Sequence, residues 1–313
     1  MLRFARYRFN FEAIDSIHLP WFPGSALRGL LGHGLRRTVC VTNLRDCAEC
    51  DLKRQCAYTY LFETHNFTGI KSGTALPLVL TLGRLSRDYQ PGDSFSLELT
   101  LIGQSTRYFP YLIQAWQRAG RKGLGKENAR FDLISIEYTN GEGGWLPLYP
   151  QRADHGFAPL SHLSSLVDRT QTVPSKVRIE LLTPYRSKRD GRLVTPKAFD
   201  AGGFLISLIK RLENLRGVHD PEMPEPNTRE LVAASGTIEM SDANLKWTDW
   251  TRHSSRQQTH MNMGGVTGSF TLGGDGLETL YPLLELGQWV HTGKNTLFGL
   301  GQYRLTVEDS GHG

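Results

Sequence analysis

Apolar and polar positions follow two different periods along this chain, and one order of those periods occurs twice. Residues 3–11 alternate Phe and Tyr with Arg and Asn, as a half-buried strand does. From Ser25 the period lengthens. Leu27, Leu30, Leu31 and Leu35 share one arc at about 100° per residue, which predicts a helix to Val39 with Ser25 as its N-cap. An extended segment over 76–82, a strand over 94–101, a helix over 108–119 and a strand over 131–138 follow. The second half repeats the series: strand 176–182, helix 204–215, strands near 231–240 and 245–252, strand 265–272, helix 277–290 and strand 302–307. This order predicts an α+β protein of two split βαβ units, each sheet covered on one face by helices, with the pairing inside 230–272 open. The expected domains are 1–139 and 175–308, joined by a Gly-, Pro- and His-containing linker over 140–174 and followed by a tail, 309–313.

The last helix runs into His291-Thr-Gly293-Lys294 and then Phe298-Gly299-Leu-Gly301. A weaker copy, Gly120-Arg-Lys-Gly123-Leu-Gly125-Lys126, follows the corresponding helix of the first half. Gly123-Leu-Gly125 stands where Gly299-Leu-Gly301 stands, which indicates an internal duplication. Missing Cβ atoms let a backbone phosphate approach N–H groups, with Lys294 supplying charge.

Composition narrows the classes. The 313 residues are 39% hydrophobic and contain no apolar run of membrane-spanning length. The alternating N-terminus lacks the continuous apolar segment of a signal peptide, so a cytoplasmic protein is expected. Net charge is +5 and the pI near 9.0. The cations cluster at Arg28/Arg36/Arg37, Arg118/Arg121/Lys122/Lys126 and Arg186/Lys188/Arg189/Arg192, which suits a polyanionic partner. No carboxylate cluster has the spacing of an open catalytic metal site.

All four cysteines fall between 40 and 56: Cys40, Cys47, Cys50 and Cys56. The C-x-x-C at 47–50, closed by the outer pair, suits a tetrahedral zinc site. Four thiolates leave no open position, so the metal would be structural. An iron–sulfur cluster and four reduced thiols are the alternatives.

Two histidines are candidates for chemistry. His33 lies on the polar arc of the first helix with Arg28, Gly29, Gly32, Arg36 and Arg37. Nearby cations keep a histidine neutral, as a general base requires, and the glycines would let a nucleic-acid backbone come close. The plainer reading is a solvated histidine on a basic face. His291, two residues before Gly293, is the rival candidate; its plainer reading is a cap on helix carbonyls. Arg252, Arg256 and Gln257, in a polar stretch before Gly264-Gly265, read as nucleotide contacts. Trp247, Trp250, Tyr108 and Tyr185 could stack on bases, although core packing is the commoner use of such side chains.

Three stretches together resemble the CRISPR repeat-processing endoribonucleases of the RAMP superfamily. They are Phe22-Pro-Gly-Ser-Ala-Leu-Arg28-Gly-Leu-Leu-Gly32-His33, the Cys47/Cys50/Cys56-Ala-Tyr58 knuckle ending in Leu61-Phe62-Glu63, and His291-Thr-Gly293-Lys294 with Phe298-Gly299-Leu-Gly301. The resemblance implies tandem ferredoxin-like (RRM-like) domains that bind the repeat of a CRISPR precursor transcript and cut it once without a catalytic metal. The RNA's own 2′-oxygen would be the nucleophile, leaving a 2′,3′-cyclic phosphate and a 5′-hydroxyl. It favours His33 as base, Arg36 or Arg37 at the developing charge, and Gly293, Lys294, Gly299 and Gly301 with Arg28 as RNA contacts. The second expectation is a non-catalytic RNA-binding subunit of a CRISPR effector complex, since some members of the superfamily are silent binders.

Overall fold

Ten residues of alternating burial, β1 (Phe4–Ala13), form the middle of the first sheet. The computed structural model describes residues 2–70, 73–83, 85–139, 144–149, 173–254 and 259–308. In chain order β1 is followed by β2 (Ile17–His18), α1 (Gly24–Val39), α2 (Ala57–Phe62), α3 (Thr64–Thr68), β3 (Leu78–Thr81), β4 (Asp88–Tyr89) and β5 (Ser94–Ile102). Then come α4 (Phe109–Lys122), β6 (Phe131–Thr139) and β7 (Trp145–Tyr149). The sheet order is β3-β5-β1-β6-β7, every pair antiparallel. Tyr7, Phe9 and Phe11 point one way from β1. The Tyr7 ring stacks on Phe109 of α4 at 4.0 Å, and Phe11 meets Trp116 edge-on at 5.2 Å. These rings are almost wholly buried and anchor α4 to the sheet.

The second series is β8 (Lys176–Tyr185), β9 (Lys188–Arg189), β10 (Arg192–Leu193), α5 (Ala201–His219) and α6 (Thr228–Ser235). It continues with β11 (Glu239–Thr248), β12 (Thr251–Ser254), β13 (Thr259–Asn262), β14 (Gly265–Gly273), α7 (Leu277–Val290) and β15 (Tyr303–Val307). Its sheet order is β11-β14-β8-β15, again antiparallel throughout. Val177 and Ile179 of β8, Phe204 and Leu208 of α5, Phe270 of β14 and Leu280 and Leu284 of α7 are fully or almost fully buried in this unit. If β7 is set aside, both sheets carry their strands in the order second, third, first, fourth.

The chain divides into two compact units, one drawn from Leu2–Ser165 and Asn214–Met223, the other from Leu166–Glu213 and Pro224–Gly313. The end of α5 and the residues after it thus complete the first unit. There, the buried Asp220 carboxylate accepts from the Arg3 backbone N–H and from Arg3 Nε, both at 2.8 Å. The His219 ring nitrogens lie 3.0 Å from the Tyr60 hydroxyl and 2.8 Å from the Ala75 carbonyl oxygen. Among the described residues no helix is long and apolar enough to cross a membrane.

Three expectations change. Residues 228–235 form a helix instead of the start of a strand, because Asn227 caps it: its side-chain oxygen accepts from the Glu230 N–H and its amide donates to the Glu230 carboxylate. Part of the expected linker, β7, is a strand on the edge of the first sheet; residues 140–143 and 150–172 lie outside the described residues. Ser25 does not cap α1, which begins at Gly24 behind Pro23, with the Leu27 N–H donating to the Pro23 carbonyl.

Candidate functional site

Helix α1 buries Leu27, Leu30, Leu31 and Leu35, and its opposite arc presents His33 and Arg37 to solvent. The close packing of α1 on α4 rests on Gly34: a Cβ there would overlap the Ala115 carbonyl oxygen. This close approach brings Lys122, the last residue of α4, into the electrostatic environment of His33. The His33 imidazole is held below its ordinary pKa first by partial desolvation, then by the charges of Lys122, Arg37, Arg28 and Arg36. The ring is therefore neutral near pH 7 while solvent still reaches it. Such a group can accept a proton.

The other two arginines of this arc face α2. Tyr58 and Phe62, one turn apart, stack with their rings 5.6 Å apart and 2° from parallel. The Arg28 guanidinium stands 4.9 Å over Phe62 and that of Arg36 5.7 Å over Tyr58. Arg36 also donates to the carbonyls of Leu44 and Arg45 in the cysteine segment. Gly32 is covered by Phe62, whose ring would lie 3.1 Å from an added Cβ, so that glycine serves packing and not ligand approach. Gly29 is open, with nothing within 4 Å. Tyr58, Phe62 and Lys122 were not singled out as site residues in the sequence. The one-turn spacing of two aromatics beside a basic helix was the available signal.

His291 is placed differently from the expectation. It ends α7 with φ 57°, is fully buried, and its Nδ1 faces the Leu300 carbonyl oxygen at 3.2 Å. A ring sealed from solvent shapes the loop and has no path to a substrate proton. Arg211 of α5 caps the same helix end, its Nε donating to the carbonyls of Val290 and His291 at 3.0 and 3.1 Å.

The glycine loop behind α7 is also more self-contained than expected. Gly293, Gly299 and Gly301 all have φ between 72° and 85°, which side-chain-bearing residues rarely adopt. The N–H groups of Thr292, Lys294, Gly299 and Gly301 donate to the carbonyls of Gly301, Arg186, Thr296 and Pro184. These donors are already engaged, and Gly299 and Gly301 are buried. What the loop offers a ligand is the exposed Lys294 side chain on a rigid turn. Arg256 and Gln257 lie outside the described residues, as does the side chain of Arg252. Of the stacking candidates, Tyr108, Tyr185 and Trp250 are buried and Trp247 is 37% exposed.

Cys40, Cys47, Cys50 and Cys56 are free thiols around one small cavity in the first unit. As they stand, no three His, Cys, Asp or Glu among the described residues are grouped closely enough to hold a metal ion.

Comparison with known proteins agrees with this architecture. An uncharacterized protein of Archaeoglobus fulgidus is 22% identical over 299 residues, covering 92% of this chain and 93% of its own. Among solved structures, a Cas6 product complex matches at TM-score 0.56 and 17% identity, covering 97% of this chain and 99% of that one. A Thermus thermophilus Cas6 matches at TM-score 0.55 and 16% identity over 98% and 99% of the two chains. A partial Cas6-RT-Cas1–Cas2 complex matches at TM-score 0.60 and 14% identity, covering 99% of this chain and 47% of the longer one. These likenesses show a shared α+β fold. Residues 2–159, just over half of the chain, match the family model described as the AF_1859_N N-terminal domain, and residues 179–303 match that of the CRISPR-associated endoribonuclease Cas6. The chain therefore belongs to the family defined by the AF_1859_N domain, and its residues 179–303 are similar to the CRISPR-associated endoribonuclease Cas6.

Proposed function

We propose that this chain binds CRISPR repeat RNA and cleaves it through attack of a ribose 2′-oxygen on the adjacent phosphate, with no catalytic metal. The observation that carries this reading is His33: a solvent-reached imidazole kept neutral by partial desolvation and by the charges of Lys122, Arg37, Arg28 and Arg36, on a helix fixed by close packing. We read each unit as a ferredoxin-like domain on its strand order. His33 removes the 2′-hydroxyl proton. Arg37 and Lys122 face the phosphorane charge that builds as the 2′-oxygen bonds to phosphorus and the 5′-oxygen leaves. The leaving 5′-oxygen takes up a proton from water, and the products are a 2′,3′-cyclic phosphate and a 5′-hydroxyl. Lys294 and the basic clusters hold the RNA backbone. The product complex among the similar structures and the similarity of residues 179–303 to Cas6 support RNA processing as the activity. The Cas6-RT-Cas1–Cas2 match supports association with other CRISPR proteins.

The test is a repeat RNA carrying one 2′-deoxy nucleotide at the scissile position. It should bind as the all-ribose RNA does and remain uncut. A His33→Ala chain should lose cleavage by at least about 10²-fold with repeat binding retained. Cleavage of the deoxy substrate at the same linkage rules out the mechanism. A wild-type chain that binds repeat RNA and never cuts it makes the protein a silent RNA-binding subunit.

A further inference from the structure

Residues 40–56 contain no buried side chain, and Val41, Leu44 and Leu52 are 76%, 44% and 43% exposed. Regular structure in this segment is limited to the 3₁₀ turn Cys47–Glu49. Its hydrogen bonds are mostly local: Asp46 accepts from the Ala48 N–H, the Cys50 N–H donates to the Cys47 carbonyl, and Lys53 donates to the Ala48 carbonyl. Fixing a backbone costs about 1–2 kcal/mol per residue, and burial does not supply that here. A cross-link must.

Its four cysteines line one cavity of about 20 Å³ together with Arg36 and Lys53. The Thr42 hydroxyl lies 4.0 Å from the Cys40 sulfur and 3.6 Å from that of Cys50, so residues far apart in the segment converge. We propose that Cys40, Cys47, Cys50 and Cys56 hold one zinc ion as a tetrathiolate. Four thiolates and no open position suit a structural ion. Loading draws the ring of thiols inward as each gives up its proton and its sulfur binds the metal. The resulting group carries two negative charges, and Arg36 and Lys53 on the same wall supply two positive ones. Arg36 also holds the carbonyls of Leu44 and Arg45, so the ion fixes the end of α1 that follows His33. With four protein ligands the ion takes no part in RNA chemistry, and the site is independent of the cleavage mechanism.

The full chain, purified without chelator, is assayed for metal by mass spectrometry, for thiol reactivity with Ellman's reagent, and by limited proteolysis. The expected result is about one zinc per chain, with slow thiols. Chelator should release the zinc, expose four reactive thiols and open residues 41–55 to protease. Cys47→Ser/Cys50→Ser should lose the zinc. The wild-type measurements stand whether or not that variant folds. A zinc-free chain whose thiols react at once and whose segment 41–55 resists protease with or without chelator overturns the proposal. So does bound iron with visible thiolate-to-metal absorption, or a pair of disulfides.

Discussion

A base that works near neutral pH must be unprotonated before its substrate binds, and the groups around His33 secure this. Its pKa lies below the ordinary histidine value, so activity should hold to a lower pH than a free imidazole would allow and fall only as the depressed pKa is crossed. Among the surrounding cations Lys122 weighs most. Exchanging Lys122→Gln removes a charge that opposes protonation, so the acid limb of the pH–rate profile should move to higher pH. An unmoved limb would mean that Lys122 does not influence the base. His33 could be found in the sequence because its neighbours on α1 lie within five residues of it. Lys122 could not, since its nearness depends on how α4 packs. The burial of His291 was not legible for a related reason: its place two residues before Gly293 does not show that the loop folds back over the ring.

Two glycines of α1 make opposite predictions. At Gly34 a methyl group would overlap the Ala115 carbonyl oxygen, so Gly34→Ala should push α4 away and cost about 1–3 kcal/mol in denaturant unfolding. At Gly29 nothing lies within 4 Å, so Gly29→Ala should stabilise the helix by about 0.5–1 kcal/mol. Equal effects at the two positions would contradict the packing described. Most elements were readable from period alone, because β1, α1, β8 and α7 each bury one consistent face. Helix α6 was not, since its apolar residues are few and the decisive signal is the Asn227–Glu230 cap. The glycine motif was legible as a loop, but its engaged N–H groups were not, because their acceptors at Pro184 and Arg186 are remote in sequence.

Over the whole chain, the excess of positive charge sets how RNA binding responds to salt. Each phosphate neutralised releases counterions, so repeat affinity should fall by at least about 10-fold between 50 and 200 mM salt. A flat response would show that the basic clusters do not meet the RNA backbone. The repeated order of elements was visible in the order of periods, but the division of the chain was not. Asp220 and His219 lie well past the first series of elements and nonetheless complete its core. Asp220→Ala should cost about 1.5–3 kcal/mol, measured by thermal or denaturant unfolding, through loss of charge-assisted bonds to Arg3.

That late contribution has a consequence during synthesis. A ribosome that has finished the first sheet has not yet made the residues that seal it; Asp220 comes 71 codons after Tyr149 (220 − 149 = 71). At about 5–20 residues per second the nascent sheet waits roughly 4–14 s for its closing turn. Over that interval the aromatic rings of β1 and α4 can already pack, while Arg3, Tyr60 and Ala75 wait for partners still being translated.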